Sequence, residues 1–209
     1  LEQQFHEIDR RLRALRRERD AALGVAGDQR PAKPEAEKVE AARAKAGIRA
    51  SAKSFENLSP TEAAKADYGK EKAFAERLLA GKAKLEDFEF YTDYVKTVKA
   101  ESRLLPSGGK LLFVGSGPVP LSPILFGREG FKVVGMDISA EAASLGKRVA
   151  AKAGGSLSVV VADATSFDFG KFDAVVLALE AGADASLKKK ILDRLAETLP
   201  AGATVLLRS

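Results

Sequence analysis

Lys110–Leu121 reads KLLFVGSGPVPL, and its reading decides the fold. The apolar run Leu111–Val114 breaks abruptly into Gly115-Ser116-Gly117. A short apolar run closed by a glycine turn is the pattern of a buried parallel strand that ends in a nucleotide-binding loop. Gly115 permits the tight turn, and Gly117 has no side chain to hold a ligand away from the backbone. About twenty residues on, a second apolar run, Lys132–Met136, ends in Asp137. A carboxylate at the tip of the second strand suits a pair of ribose hydroxyls. Together these features imply an adenosine-containing ligand.

The loop does not suit a dinucleotide. That fingerprint wants a small third residue at a helix start, and here the position is Pro120, between Pro118 and Pro123. Prolines at this spacing delay the helix. Ser122 is the expected N-cap and Pro123 the expected first helical residue. No clean helix N-terminus would then face a pyrophosphate. Further on, Leu157–Val161 reads as a third strand and runs into Ala162-Asp163-Ala164. Gly170-Lys171-Phe172-Asp173 precedes a fourth strand, Ala174–Ala178. In this order the loops resemble a Rossmann-like class I S-adenosylmethionine-dependent methyltransferase fold, α/β in class. That resemblance implies S-adenosylmethionine as co-substrate, with Asp163 contacting adenine. Asp163 and Asp137 also read as helix caps, and for Asp163 both readings are compatible.

The rest of the chain bounds the chemistry. The 209 residues suit one medium domain and an appendage. With no cysteine and one histidine, His6, a disulfide framework, a thiolate metal site and a multi-histidine centre are excluded, and no resident metal is expected. His6 reads as a solvated surface residue. No apolar run is long enough to span a bilayer and no signal peptide is visible, so the expectation is a cytoplasmic protein without a membrane partner. The net charge of +5 is interleaved with acids, which lends little to nucleic-acid binding. The chain opens on Leu1 and closes on ATVLLRS, Ala203–Ser209, which reads as a fifth strand. A methyltransferase-like sheet has two further strands beyond it, so the expectation is a chain truncated at its C-terminus.

Two parts are expected: a helical N-terminal domain, 1–105, and an α/β domain, 106–209. Residues 1–24 read as a basic helix with Phe5, Ile8, Leu12 and Leu15 on one stripe. Residues 27–34 read as a linker and 35–46 as an alanine-rich helix stopped by Gly47. Ser59 and Pro60 mark the start of a helix to Ala80, and Asp87–Leu105 marks another.

Three segments resemble nicotianamine synthase and its bacterial relatives that build opine-type metallophores of the staphylopine and pseudopaline kind. FVGSGPVPLSPI, Phe113–Ile124, is similar to that family's FVGSGPxPLTSI signature. FYTDYVKTVKAESRLL, Phe90–Leu105, resembles its YYxNYxxLxxLExxxL helix, and TVLLRS resembles the strand that enters its Arg-Ser-Ala turn. The resemblance covers roughly Lys70 to Ser209. It implies a transferase that moves the 3-amino-3-carboxypropyl (aminobutanoyl) group of S-adenosylmethionine to an amino-acid amine and releases methylthioadenosine. The implied acceptor is histidine, and the implied later partner is an opine dehydrogenase; a homodimer is an option. The family's catalytic glutamate, in an E-x-x-F pattern, falls on Glu71, with Glu76 second. Its catalytic tyrosine falls on Tyr94, with Tyr91 flanking. The implied cofactor-binding set is Gly115, Ser116, Gly117, Pro118, Asp137, Asp163, Ala164 and Leu179. Three other readings stay open: nicotianamine synthase proper, which uses the cofactor itself as repeated acceptor; a small-molecule methyltransferase on the same loops; and a nucleic-acid-binding module using Arg10, Arg11, Arg13, Arg16, Arg17 and Arg19. Glu7, Asp9, Glu18 and Asp20 offset those arginines.

Overall fold

A computed structural model of the protein describes residues 60–155, 157–179, 181–182 and 185–208. The readings of the basic helix, the linker, the alanine-rich helix, His6 and Ser59 lie outside the described residues. Five strands form one parallel sheet: β1 (Lys110–Val114), β2 (Lys132–Asp137), β3 (Ser158–Val161), β4 (Ala174–Leu177) and β5 (Thr204–Leu207), in the order β3-β2-β1-β4-β5. β1 is central. Leu112 pairs with Val134 on one side and Val175 on the other. The order reverses beside β1, so the crevice opens where the glycine loop leaves that strand.

Both faces are covered, which is why β1 and β4 read as unbroken apolar runs rather than alternating ones. Leu111 and Phe113 belong to one core with helices α1 (Pro60–Leu79), α2 (Tyr91–Ser102), α3 (Leu121–Arg128) and α4 (Ala140–Lys152). Leu112 and Val114 belong to the other, packed under α5 (Ala185–Thr198) with Phe169 and Phe172. Phe126 and Phe169, one in each core, are fully buried. Each contributes roughly 1.5–3 kcal/mol by leaving water. The helices before β1 share the sheet's own core: Phe74, Leu78 and Val98 pack with Phe113 and Ile124. No described helix is long and apolar enough to cross a membrane.

Two helix starts differ from the reading above. The expected helix Asp87–Leu105 begins instead at Tyr91, because Phe90 is left-handed at φ 62° and a short 3-10 turn, Leu85–Asp87, precedes it. An aromatic residue at positive φ is strained, so its surroundings must hold it there. The helix after the glycine loop is capped by Pro120 and begins at Leu121, not at Ser122–Pro123. Ser122 is no cap because its hydroxyl, already inside the helix, accepts a hydrogen bond from Arg208 Nη1 at 2.7 Å.

Candidate active site

The first three residues of the loop after β1 are tied to their neighbours. Gly115 and Gly117 have φ of 79° and 66°, where L side chains are strained. The N–H groups of Gly115 and Ser116 both donate to Met136 O, at 2.8 and 2.9 Å. The Gly117 N–H donates to Asp137 Oδ2 at 2.9 Å. A phosphate-binding nest needs such groups free; here all three point into the protein. Asp137 Oδ1 accepts the Ser139 N–H at 2.9 Å, and Ser139 in turn caps α4 by accepting from Ala142 N at 3.2 Å. An ionised carboxylate has about four acceptor sites. Asp137 therefore braces the loop and the helix and keeps capacity for a pair of hydroxyls.

Gly117 is empty for a reason the sequence did not disclose. A Cβ built there would lie 2.5 Å from Glu71 Oε2. The space a side chain would take is filled by the half-buried Glu71 carboxylate, delivered by α1. Behind the loop, Gly146 of α4 plays the matching part: a Cβ there would meet Gly117 O at 2.8 Å. The loop is thus clasped between a carboxylate and a helix.

The seam between α1 and α4 brings in residues that sequence reading missed. Tyr68 OH donates to Glu141 Oε2 and Lys72 Nζ to Glu141 Oε1, both at 2.6 Å. These bonds hold the Glu141 carboxyl below its ordinary range, the one from Lys72 first, and raise Lys72. Asp67 stands one turn before Glu71, and burial pushes its carboxyl up, opposed by Lys70 and assisted by Glu89. A Tyr-x-x-x-Lys spacing puts two donors on one helix face; nothing local names Glu141 as their acceptor.

The other expected residues fall as follows. Tyr94 is half-buried against the core, its ring 6.2 Å from Phe88, which stands 4.9 Å from Phe74, three residues beyond Glu71. The Tyr91 hydroxyl accepts from Arg128 Nη1 at 3.1 Å, at the end of α3 remote from the glycine loop. Glu76, the second candidate, is exposed. Asp163 follows β3 and is no helix cap: its Oδ1 accepts from the N–H and hydroxyl of Thr165, both at 2.8 Å. Those bonds, backbone first, lower its pKa. Pro118 and Ala164 are buried. Ser116 departs from expectation. Its hydroxyl lies against Gly135 with no hydrogen-bond partner among the described residues, and its N–H is used on Met136. Leu179 is 54% exposed, as are Val161 at 56% and Ile138 at 74%. All three follow or end a strand at its C-terminal tip, so they offer apolar surface to a flat ring beside Asp137 and Asp163.

Glu71 and Asp137 therefore both meet Gly117, and Tyr94 packs through Phe88 on Phe74 of α1. A family model described as nicotianamine synthase protein matches residues 53–209. The nicotianamine synthase of Solanum lycopersicum is 30% identical over 138 residues, 60% of this chain and 44% of the relative, so the chain spans under half that protein's length. Among solved structures, a single-substitution variant of MtNAS in complex with S-adenosylmethionine aligns with a TM-score of 0.63 at 18% identity, over 86% of this chain and 83% of that one. MtNAS in complex with MTA and tNA aligns at 0.59 and 20%, over 97% and 81%. At these identities the likeness is one of fold, the Rossmann-like class I arrangement.

Proposed function

Because this chain belongs to the nicotianamine synthase family, we propose that it binds S-adenosylmethionine at the strand tips and transfers its 3-amino-3-carboxypropyl group to an amino-acid amine. The observation that carries this reading is the Glu71 carboxylate lodged against Gly117. A group there stands beside the loop, where the amino-acid end of the co-substrate and the incoming amine would meet. That the N–H groups of Gly115, Ser116 and Gly117 are all bonded within the protein favours a ligand without phosphates.

S-adenosylmethionine supplies a sulfonium that activates each of its three attached carbons, so the group transferred is a matter of aim. In this reading Asp137 accepts the ribose hydroxyls, and Ile138 and Leu179 flank the adenine near Asp163. Gly117 leaves Glu71 room to lie at the reacting end. An amine is mostly protonated at neutral pH and must lose a proton to attack. Glu71 takes that proton, with the Tyr94 phenol orienting the amine. The nitrogen lone pair forms the new N–C bond at the γ-carbon, the C–S bond breaks, and neutral methylthioadenosine leaves. Histidine is the first acceptor to test, its product a precursor that a dehydrogenase would condense with a keto acid toward a metal-chelating opine.

Incubation with S-adenosylmethionine and a panel of amino acids, followed by mass analysis, tests this. The expected products are methylthioadenosine and an acceptor heavier by the aminocarboxypropyl group. Release of S-adenosylhomocysteine instead would make the chain a methyltransferase.

A further inference from the structure

The buried charge cluster at the end of β5 is unused by the chemistry above. Arg208 follows β5, and its N–H donates to Leu177 O at 3.1 Å, which fixes its backbone at the C-terminal end of the sheet. Its guanidinium forks onto one carboxylate of α2: Nε to Glu101 Oε1 at 3.1 Å and Nη2 to Glu101 Oε2 at 2.7 Å. Nη1 donates to Ser122 Oγ at 2.7 Å, and the group lies 5.0 Å over the Phe113 ring. The side chains of Glu101 and Arg208 are 1% and 11% exposed. One planar cation thus joins β5, β1, the first turn of α3 and the last turn of α2.

Stability alone does not account for such a pair, since a buried ion pair is often no more stabilising than apolar residues of the same volume. Its rigid geometry is what apolar residues lack. Glu101 and Tyr94 are seven residues apart, two turns along one face of α2. Fixing Glu101 fixes both the rotation and the height of the face that carries Tyr94. Ser122 lies inside the first turn of α3, two residues beyond Pro120 and outside the glycine turn.

We infer that Arg208 and Glu101 are positioning residues: their two-pronged pair sets the rotation and height of α2 and, through it, the place of Tyr94. The inference rests on the reading that Tyr94 serves the transfer. Arg208→Met/Glu101→Leu removes both charges and keeps apolar volume. In that variant kcat for methylthioadenosine release should fall about 10- to 100-fold, as expected for a catalytic group displaced by about 1 Å. S-adenosylmethionine affinity, measured by calorimetry, should stay unchanged. A merely structural pair would let the apolar replacement recover turnover along with the fold.

A second readout needs no activity. Tyr68, Tyr91 and Tyr94 are the chain's three tyrosines, so fluorotyrosine labelling gives three ¹⁹F resonances, assigned by Tyr→Phe variants. The Tyr94 resonance should shift or split in the double variant while that of Tyr68, on α1, stays in place. An unmoved Tyr94 resonance overturns the inference, as does an unchanged kcat where the wild type turns over. If the wild type releases no methylthioadenosine with any acceptor, the functional reading fails and the resonance alone decides the positioning. Should the double variant not fold, Arg208→Lys, which keeps the charge and loses the fork, carries the same two measurements.

Discussion

Among the described residues, two ion pairs join the helices before β1 to the α/β part, and they differ in nearly every physical respect. Arg208–Glu101 is buried, two-pronged and shared by four elements. Lys72–Glu141 has side chains 39% and 54% exposed and joins two. An exposed pair is screened by solvent and salt and contributes little. Breaking a buried pair strands a charge in a medium that solvates it poorly. The difference assigns unequal rigidity to the two helices. The clamp holds α2, with Tyr94, in one place. The surface contact adds little to the hold on α1, which carries Glu71 and is seated by the packing of Phe74, Ala75 and Leu78.

The sharpest test on the α1 side is Glu71→Gln, which keeps shape and removes the carboxylate. Methylthioadenosine release should fall about 10²–10⁴-fold, with S-adenosylmethionine affinity nearly intact. Glu76→Gln, on the exposed side of the same helix, should change neither. Equal rates for all three proteins would remove Glu71 from the chemistry.

On the rigid side, Glu101→Leu alone leaves the Arg208 guanidinium buried and unpaired. Denaturant unfolding should show a loss of about 3–5 kcal/mol, much of it recovered in the double variant with Arg208→Met. A loss below about 1 kcal/mol, the range of surface pairs, would erase the contrast between the two contacts.

Asp137 stands between the two regions, bracing the loop that Glu71 touches. Asp137→Ala should weaken S-adenosylmethionine binding by roughly 1.5–3 kcal/mol, the range for hydrogen bonds to a charged group. Calorimetry showing unchanged affinity would reassign the ribose hydroxyls to another residue.

The smallest effect belongs to the seam. Glu141→Gln should leave thermal stability nearly unchanged at physiological salt. Its pH dependence still has a definite sign. The Glu141 carboxyl is held low by Lys72 and Tyr68, so its contribution is present above its ordinary value of 4.5 and fades as pH falls through the lower folded value. Lys72 is raised by Glu141, so its contribution is present below 10.5 and is lost as pH rises through the higher folded value. Protection factors of α1 amides, with the intrinsic pH dependence of exchange divided out, should therefore be highest between those limits and should fall outside them in the wild type more than in Glu141→Gln.

The strands, their glycine turn and Asp137 could be read from the chain because their signals are local. Leu111–Val114 is apolar without interruption since both its faces are covered, and a strand so covered must end at a turn that only glycine makes easily. Helix ends were less legible. Phe90 begins α2 from a left-handed backbone that sequence disfavours, and Ser122 resembles a cap while serving Arg208. Glu71 is singled out by family resemblance alone; by spacing alone Glu71 and Glu76 are both surface residues. Only the folded chain shows that Glu71 fills the space of the side chain Gly117 lacks. Only the folded chain pairs Glu101 with Arg208, 107 residues on, and Tyr68 with Glu141, 73 residues on. Hydrophobic period and turn chemistry act within a few residues, so sequence reports them. A carboxylate's partner is chosen by which elements the sheet order brings side by side, and no local pattern records that choice.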